Sequence, residues 1–191
     1  EHYDRFAPVA DDSSKTSWDE ARRIVVEAYG SFSSEAGAAV ERFFDDRWID
    51  APVRPDKRHG AYCATNVPGV HPFVFLNYTG DRRSILTLAH ELGHALHGSM
   101  AQPLGLFNAS TPLTTAETPS VFGEALTFKR LLASEDDPRK RLDLLSADEE
   151  AVPLLEADDL ARLGRGRVFP FERGRCGNAG LLEIGHQSSV K

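Results

Sequence analysis

The feature that most constrains this 191-residue chain is the run HELGH, which sets His90 and His94 four residues apart. Apolar residues surround it at helical spacing: Ile85, Leu86, Ala89, Leu92, Ala95 and Leu96. This period predicts a helix from a cap at Asp81 to about Gly98. Residues four apart on a helix share a face, with Cβ atoms about 5–6 Å apart. Both imidazoles are therefore predicted to lie on one side of the helix.

Two neutral imidazoles on one helix face can both reach a single zinc ion at about 2.0–2.1 Å. Glu91 follows His90 directly, and its carboxylate can take a proton from a water activated by that zinc. The resulting hydroxide can attack an amide carbonyl. The motif therefore predicts a metallopeptidase site with one zinc ion per chain. The simpler interpretation is two surface histidines beside an acid.

A catalytic zinc site usually has a third protein ligand. One class of zinc peptidase supplies a histidine ten residues after the first, where this chain has Met100. His97 is on the same helix face, but one helix cannot easily surround a tetrahedral ion, so we expect an outer or structural role for it. Glu117 and Glu124 lie two turns apart on a predicted second helix. Either could meet the histidines, and spacing alone does not choose between them.

The remaining helices and strands follow from caps, periodicity and breakers. Ser17 and Glu20 form a predicted capping box for a first helix, and a second helix is predicted over 34–48. Strands are expected at 61–64 and 72–78, joined as a hairpin through Pro68 and Gly69. A loop is expected over 99–113, a helix over 115–133, and another helix from Asp137 and Pro138. The fold class predicted is mainly α with a small β-hairpin or sheet.

Composition excludes several classes of partner. Hydrophobic residues make up 41% and charged residues 27%, which is typical of a globular chain. The net charge of -7 argues against nucleic acid and anionic membranes as partners. No apolar run approaches the ~18 residues of a membrane span, and the start shows no secretory leader. With only Cys63 and Cys176, a cytoplasmic location is expected.

The segment HELGHALH, with ETPSVFGE beginning 20 residues after it, resembles the oligoendopeptidase F and thimet oligopeptidase family of zinc peptidases. The resemblance implies that His90, His94 and Glu117 are the zinc ligands and that Glu91 is the general base and acid. It implies a partner role for Glu124, which would orient one of the histidines. The fold implied is a zincin-like core in which the HExxH helix packs on a helix that bears a glutamate.

The resemblance also covers the segment KRHGAYCATNVPGVHPFVFLNYTG, which looks like the family's strand region ahead of the active helix. There, backbone groups pair with an extended peptide substrate. Gly60, Ala61 and Tyr62 are accordingly candidate substrate contacts, and the alternative is an ordinary packed strand. The activity implied is hydrolysis of internal bonds in short oligopeptides.

The resemblance extends over roughly residues 1–145, the part expected to belong to the catalytic domain. Family members continue into helices with a Tyr-rich segment that binds the oxyanion, whereas the last tyrosine here is Tyr78. Net charge changes from -8 over 1–150 (16 basic, 24 acidic) to +1 over 151–191 (6 basic, 5 acidic). We expect 146–191 to be a divergent, poorly ordered tail of a partial or frameshifted product. The alternatives to an active peptidase are an inactive zinc-binding fragment and a metal-free helical interaction module.

Overall fold

A computed structural model describes residues 15–147, except 66 and 68. Its elements, in chain order, are α1 (Trp18–Phe32), α2 (Ser34–Asp45), β1 (Ile49–Asp50), β2 (Tyr62–Ala64), β3 (Phe73–Phe75), α3 (Arg82–Ala101), a 3₁₀ turn (Gln102–Leu104), α4 (Leu113–Ala116), α5 (Thr118–Ser134) and α6 (Pro138–Ala147). The predicted fold class, mainly α with a small sheet, is confirmed. Within the described residues, none of the helices combines the length and hydropathy needed to cross a membrane.

Two of the predicted helix starts rest on side-chain caps. The Ser17 hydroxyl accepts a hydrogen bond from the Glu20 amide at 3.2 Å, and Asp81 Oδ1 accepts one from the Ser84 amide at 2.7 Å. Each bond satisfies an amide that has no partner inside the helix. The Glu20 carboxylate pairs with Arg23 instead of returning to Ser17, so only half of the capping box forms. The cap at Asp81 fixes where the helix that bears the histidines begins.

The second helix ends at Asp45, so the prediction that it runs to Trp48 was wrong. Arg47 adopts a φ of 58°, which a right-handed helix does not allow. The chain turns there, and the Trp48 amide donates to the Phe43 carbonyl at 2.9 Å. The Trp48 ring then packs edge-on against Phe43, with centroids 5.2 Å apart. The turn directs the chain into β1, a strand that was not predicted.

The sheet has the strand order β1-β3-β2. β2 and β3 are antiparallel with Cys63 opposite Val74, which confirms the predicted hairpin, although both strands are shorter than expected. β1 runs parallel to β3 with Ile49 opposite Val74. A two-residue strand is too short to show alternation, which explains why the pattern missed β1. β2 is an edge strand of the described sheet.

The predicted helix over 115–133 is in fact two helices that meet at Glu117. Pro119 lies in the first turn of α5, where its missing amide and fixed φ are tolerated. In a continuous helix the proline ring would clash with the carbonyl four residues earlier. The break therefore occurs where the sequence requires it, and it leaves Glu117 at the N-terminus of α5. The preceding stretch is also more helical than predicted, since α3 extends to Ala101 and a 3₁₀ turn follows.

α3 lies at the centre of the described fold and packs against α1, α2, α5 and the sheet. Its buried side chains form one core with residues of α1, α2 and the β3 region: Val25, Val40, Val74, Leu76, Ile85, Leu88 and Leu92. Leu126 and Leu131 of α5 pack against this core and are partly buried. α3 and α5 cross closely because Gly93 has no side chain: a Cβ there would lie 2.3 Å from the Pro119 carbonyl oxygen. The helix of the HExxH motif is thus packed on the glutamate-bearing helix, as predicted.

The expected boundary between the catalytic domain and the tail, at about residue 145, lies near the end of the described residues. The helix that begins at Pro138, at the predicted place, is described to Ala147. The expected tail over 146–191 lies outside the described residues except for its first two.

Candidate metal centre

His90 and His94 on α3 meet Glu117 at the start of α5. Nε2 of each histidine lies 3.3 Å from Glu117 Oε2. One ligand atom from each of the three residues lies within 4.8 Å of the others, and the two rings meet edge to face at 5.0 Å. Two imidazole nitrogens and one carboxylate oxygen form the donor set that zinc takes when one position stays open. The residues present therefore fit a zinc ion.

Glu124, the acid that spacing left as an equal candidate, lies elsewhere in the site. Its Oε2 is 3.1 Å from Nδ1 of His90, on the opposite edge of the ring from Glu117. The hydrogen bond with Glu124 is the main cause that raises the pKa of His90. An acid on Nδ1 selects the tautomer in which Nε2 carries the lone pair, because Nδ1 then holds the proton. This arrangement leaves Nε2 of His90 available to a metal.

Ser120 belongs to the site and was missed from the sequence. Its side chain is buried, and its Oγ lies 2.9 Å from Glu117 Oε2 and 2.8 Å from the Glu117 carbonyl oxygen. This hydrogen bond is the largest influence on Glu117 and lowers its pKa. It fixes an acid whose side chain is otherwise 60% exposed. The only signal in the sequence was a Glu followed three residues later by Ser at a helix start, a capping box with its partners exchanged.

Glu91 is 6% exposed, and its Oε2 is buried without a hydrogen-bond partner among the described residues. Burial, followed by the negative charge of Glu117, raises the pKa of Glu91 to about 7, while His90 acts in the opposite direction. A carboxyl group with a pKa near neutrality can both accept and release a proton at pH 7. A buried carboxylate oxygen without a partner is also suited to bind a water in the adjoining cleft.

The three metal-site residues and Glu91 line a cleft of about 650 Å³. Its other walls come from β2 and the residues that flank it, from α3, and from α4 and the segment before it: Ala61, Tyr62, Cys63, Thr65, His97, Gly98, Leu106, Ala109, Ser110, Thr111 and Ala116. Ala61 and Tyr62, two of the expected substrate contacts, therefore border the site. Gly60, the third, lies outside this lining and has a φ of 90°.

His97 lies in the cleft but apart from the metal-site group. Its charge is one of the smaller influences that lower the pKa of His94, for which burial is the main cause. His97 lies outside the group formed by His90, His94 and Glu117, and the outer or structural role expected for it stays a prediction.

An HExxH helix packs on a second helix that begins with an acid, and among the described strands β2 forms the edge of a small sheet at the cleft. This arrangement defines the zincin-like class of metallopeptidase fold. Comparison of the sequence with family models identifies one family within that class. The family model described as Peptidase family M3 matches residues 31–150. The chain belongs to this family, which agrees with the resemblance seen in its motifs.

Known proteins similar to this chain carry oligopeptidase names. Oligopeptidase PepF of Bacillus subtilis is 28% identical over 148 residues, which cover 75% of this chain and 22% of that protein. Chromosomal oligoendopeptidase F of Lactococcus lactis subsp. cremoris is 29% identical over 145 residues, 75% of this chain and 24% of that protein. A crystal structure from Chlamydophila abortus, described as a peptidase, superposes with a TM-score of 0.71 at 26% identity, over 78% of this chain and 25% of that one. This chain spans about a quarter of the length of these relatives.

Proposed function

We propose that this chain carries the catalytic centre of a zinc endopeptidase that cleaves internal bonds of short oligopeptides. The observation that carries the proposal is the meeting of His90, His94 and Glu117 at one end of a cleft that Glu91 also lines. The oligopeptidase names of relatives that match three quarters of the chain support the substrate class.

In this proposal His90 and His94 hold zinc through Nε2 and Glu117 holds it through a carboxylate oxygen. Bound zinc would supply Lewis-acid activation of a water and of the scissile carbonyl. Glu91 accepts a proton from the attacking water, whose oxygen bonds to the carbonyl carbon. Glu91 then gives that proton to the leaving amine as the carbon–nitrogen bond breaks. Burial supports both steps, because it raises the pKa of Glu91 to about 7.

The outer partners have separate tasks in this scheme. Glu124 orients the His90 ring from Nδ1, and Ser120 holds the Glu117 carboxylate toward the histidines. β2 has β3 on one side only, within the described sheet, so the backbone groups of its other side can pair with an extended peptide. Ala61 and Tyr62 border the cleft at this edge and are the proposed substrate contacts, with Gly60 at the entry to the strand.

The remaining assignments belong to the same proposal. Residues 1–145 are proposed as part of the catalytic domain and 146–191 as a divergent tail. The family match over 31–150 supports the first assignment and overlaps the first five residues of the second. We propose one zinc ion per chain, because one group of metal-ligating residues is found in the described part. The net charge of -7 supports peptides over nucleic acid or anionic membranes as partners. The low cysteine content supports a cytoplasmic location.

The alternative is a fragment that binds zinc without catalysis, and one observation favours it. Tyr78, the last tyrosine of the chain, donates its hydroxyl to the Thr16 carbonyl at 2.9 Å and does not line the cleft. Tyr78 is therefore not available to bind an oxyanion there, and Tyr62, the tyrosine that lines the cleft, belongs to the edge strand β2. Loss of one oxyanion donor costs about 10²–10³ in rate in a known case.

The test is cleavage of internally quenched peptides of about ten residues by the zinc-loaded 191-residue chain. A Glu91→Gln variant should lower kcat/KM by about 10²–10⁴, since general acid–base catalysis contributes that much. Glu41→Gln is the matched control: the same change on an exposed glutamate of α2 that pairs with Arg22. Equal cleavage by all three proteins would contradict the role of Glu91. Zinc binding without any cleavage would support the inactive fragment.

A further inference from the structure

The buried phenol of Tyr29 contacts the backbone of α3, the helix that carries His90 and His94. Tyr29 lies on α1 and is 2% exposed. Its hydroxyl donates a hydrogen bond to the carbonyl oxygen of Ala89 at 2.8 Å, across 60 residues of sequence. Ala89 directly precedes His90 in α3. A carbonyl oxygen has two lone pairs, so Ala89 can accept this bond in addition to its bond within the helix.

The same hydroxyl touches α5 next to Glu124. A Cβ at Gly123 would lie 1.7 Å from the Tyr29 hydroxyl oxygen, 2.6 Å from Cζ and 3.0 Å from the Ala89 carbonyl oxygen. The phenol thus occupies a slot between α3 and α5 that exists only because residue 123 has no side chain. One hydroxyl therefore contacts the residue before His90 and the residue before Glu124.

The buried Tyr29 hydroxyl keeps its proton in this slot. Burial and then the negative charge of Glu124 raise the pKa of Tyr29 above its ordinary value. The phenol therefore stays neutral and keeps the proton that it donates to Ala89. A neutral donor also avoids a second negative charge beside Glu124, which already bonds to His90 at 3.1 Å.

We propose that Tyr29 is a positioning residue for the metal centre: its hydroxyl sets the separation of α3 and α5, and so aligns Glu124 with Nδ1 of His90. The inference rests on the proposed zinc site. Without the hydroxyl, Ala89 loses a hydrogen-bond donor and the slot is left with an unfilled space the size of an oxygen atom. The two helices can then shift against each other. A shift weakens the bond that orients His90, since protein interiors are close-packed.

The experiment compares Tyr29→Phe with Tyr78→Phe in the 191-residue chain. Tyr78 is the matched control, because its hydroxyl also donates to a backbone carbonyl, that of Thr16, at 2.9 Å and outside the cleft. The measurements are the zinc dissociation constant by chelator competition and the visible absorption of the cobalt-substituted protein, with folding checked by circular dichroism. Outer partners of metal ligands typically change affinity by 10–100-fold, so for Tyr29→Phe, one step further out, we expect about 3- to 10-fold weaker binding and shifted cobalt bands.

Glu124→Gln provides the second measurement. If Tyr29 acts through Glu124, adding Tyr29→Phe to Glu124→Gln should weaken zinc binding by less than about twofold, because the two effects are not independent. Affinity and cobalt bands in Tyr29→Phe equal to those of Tyr78→Phe would overturn the inference and leave the zinc site intact. Full additivity with Glu124→Gln would also overturn it. A wild-type chain that binds no zinc would overturn both the inference and the proposed function.

Discussion

At the scale of single residues, the candidate site depends on which atoms of His90 and Glu117 are already hydrogen-bonded to other side chains. Glu124 occupies Nδ1 of His90, and Ser120 contacts the oxygen of Glu117 that lies nearest both histidines. These contacts hold the donor atoms together before any metal arrives. Preorganisation of this kind lowers the ordering cost of binding, because fewer side-chain rotamers remain to be fixed.

Ser120→Ala should weaken zinc binding by about 10-fold, the lower end of the range for outer partners of metal ligands. The Glu117 side chain then loses its hydrogen bond and can adopt other rotamers. Ser84→Ala is the matched control, because Ser84 also bonds a helix-start carbonyl, that of Asp81, at 2.7 Å. Isothermal titration of both variants with zinc gives the comparison. An equal loss in the two variants would show that only the helix start matters.

At the scale of secondary structure, the site is made by one interrupted helix and one close crossing. The break at Glu117 gives the acid a position at the end of α5 instead of on a continuous helical face. The crossing at Gly93 brings the start of α5 against α3, since the Pro119 backbone occupies the space that a side chain at position 93 would fill. Both features are therefore needed for the histidines to meet the acid.

Gly93→Ala should destabilise the chain by about 1–3 kcal/mol, the usual cost of overpacking, although alanine is the better helix former. The added Cβ would lie 2.3 Å from a backbone oxygen that cannot move without displacing α5. Gly30→Ala, also in a helix, is the control: its Cβ would lie 4.0 Å from the nearest atom, Cα of Gly37. Urea unfolding should show a loss for Gly93→Ala and no loss for Gly30→Ala. Similar losses in both would contradict the close crossing.

At the scale of the whole molecule, the proposed metal links segments that are distant in sequence. His90 and His94 come from the central helix, and Glu117 follows a connection that begins after Ala101. This connection exposes large apolar side chains, including Leu106 at 65% and Phe107 at 94%. Few buried contacts hold it, so a metal that binds only the folded arrangement should stabilise the molecule noticeably.

Zinc should therefore raise the temperature of unfolding, and a chelator should reverse the rise. A ligand that binds only the folded state adds about 4 kcal/mol when its free concentration is 1,000 times its dissociation constant. The chain should show this by differential scanning calorimetry with zinc and with EDTA. His94→Ala removes one proposed ligand and should abolish most of the shift. A shift of the same size in that variant would place the zinc elsewhere.

Much of the fold was predictable because its signals are local. The caps at Ser17 and Asp81, the hairpin and the helical face of His90 and His94 depend on residues within a few positions of one another. Local sequence determines such features, since each helical turn or hairpin makes most of its bonds to itself. The two-residue strand β1 and the end of α2 escaped prediction, because a paired partner and a single positive φ decided them.

By itself, the sequence determined the helix that carries the HExxH motif, the common face of its two histidines and, through the second motif, the family. Spacing could not separate Glu117 from Glu124, or find Ser120 and Tyr29. The contact of Ser120 with Glu117 spans only three residues, but the start of α5 had to be known before it could be recognised. The tertiary structure placed Glu124 on Nδ1 of His90 and Tyr29 on Ala89, because these contacts join residues that are 34 and 60 positions apart in the sequence. Such contacts arise when helices pack, and which side chains meet there depends on the crossing that the glycines of α3 and α5 permit.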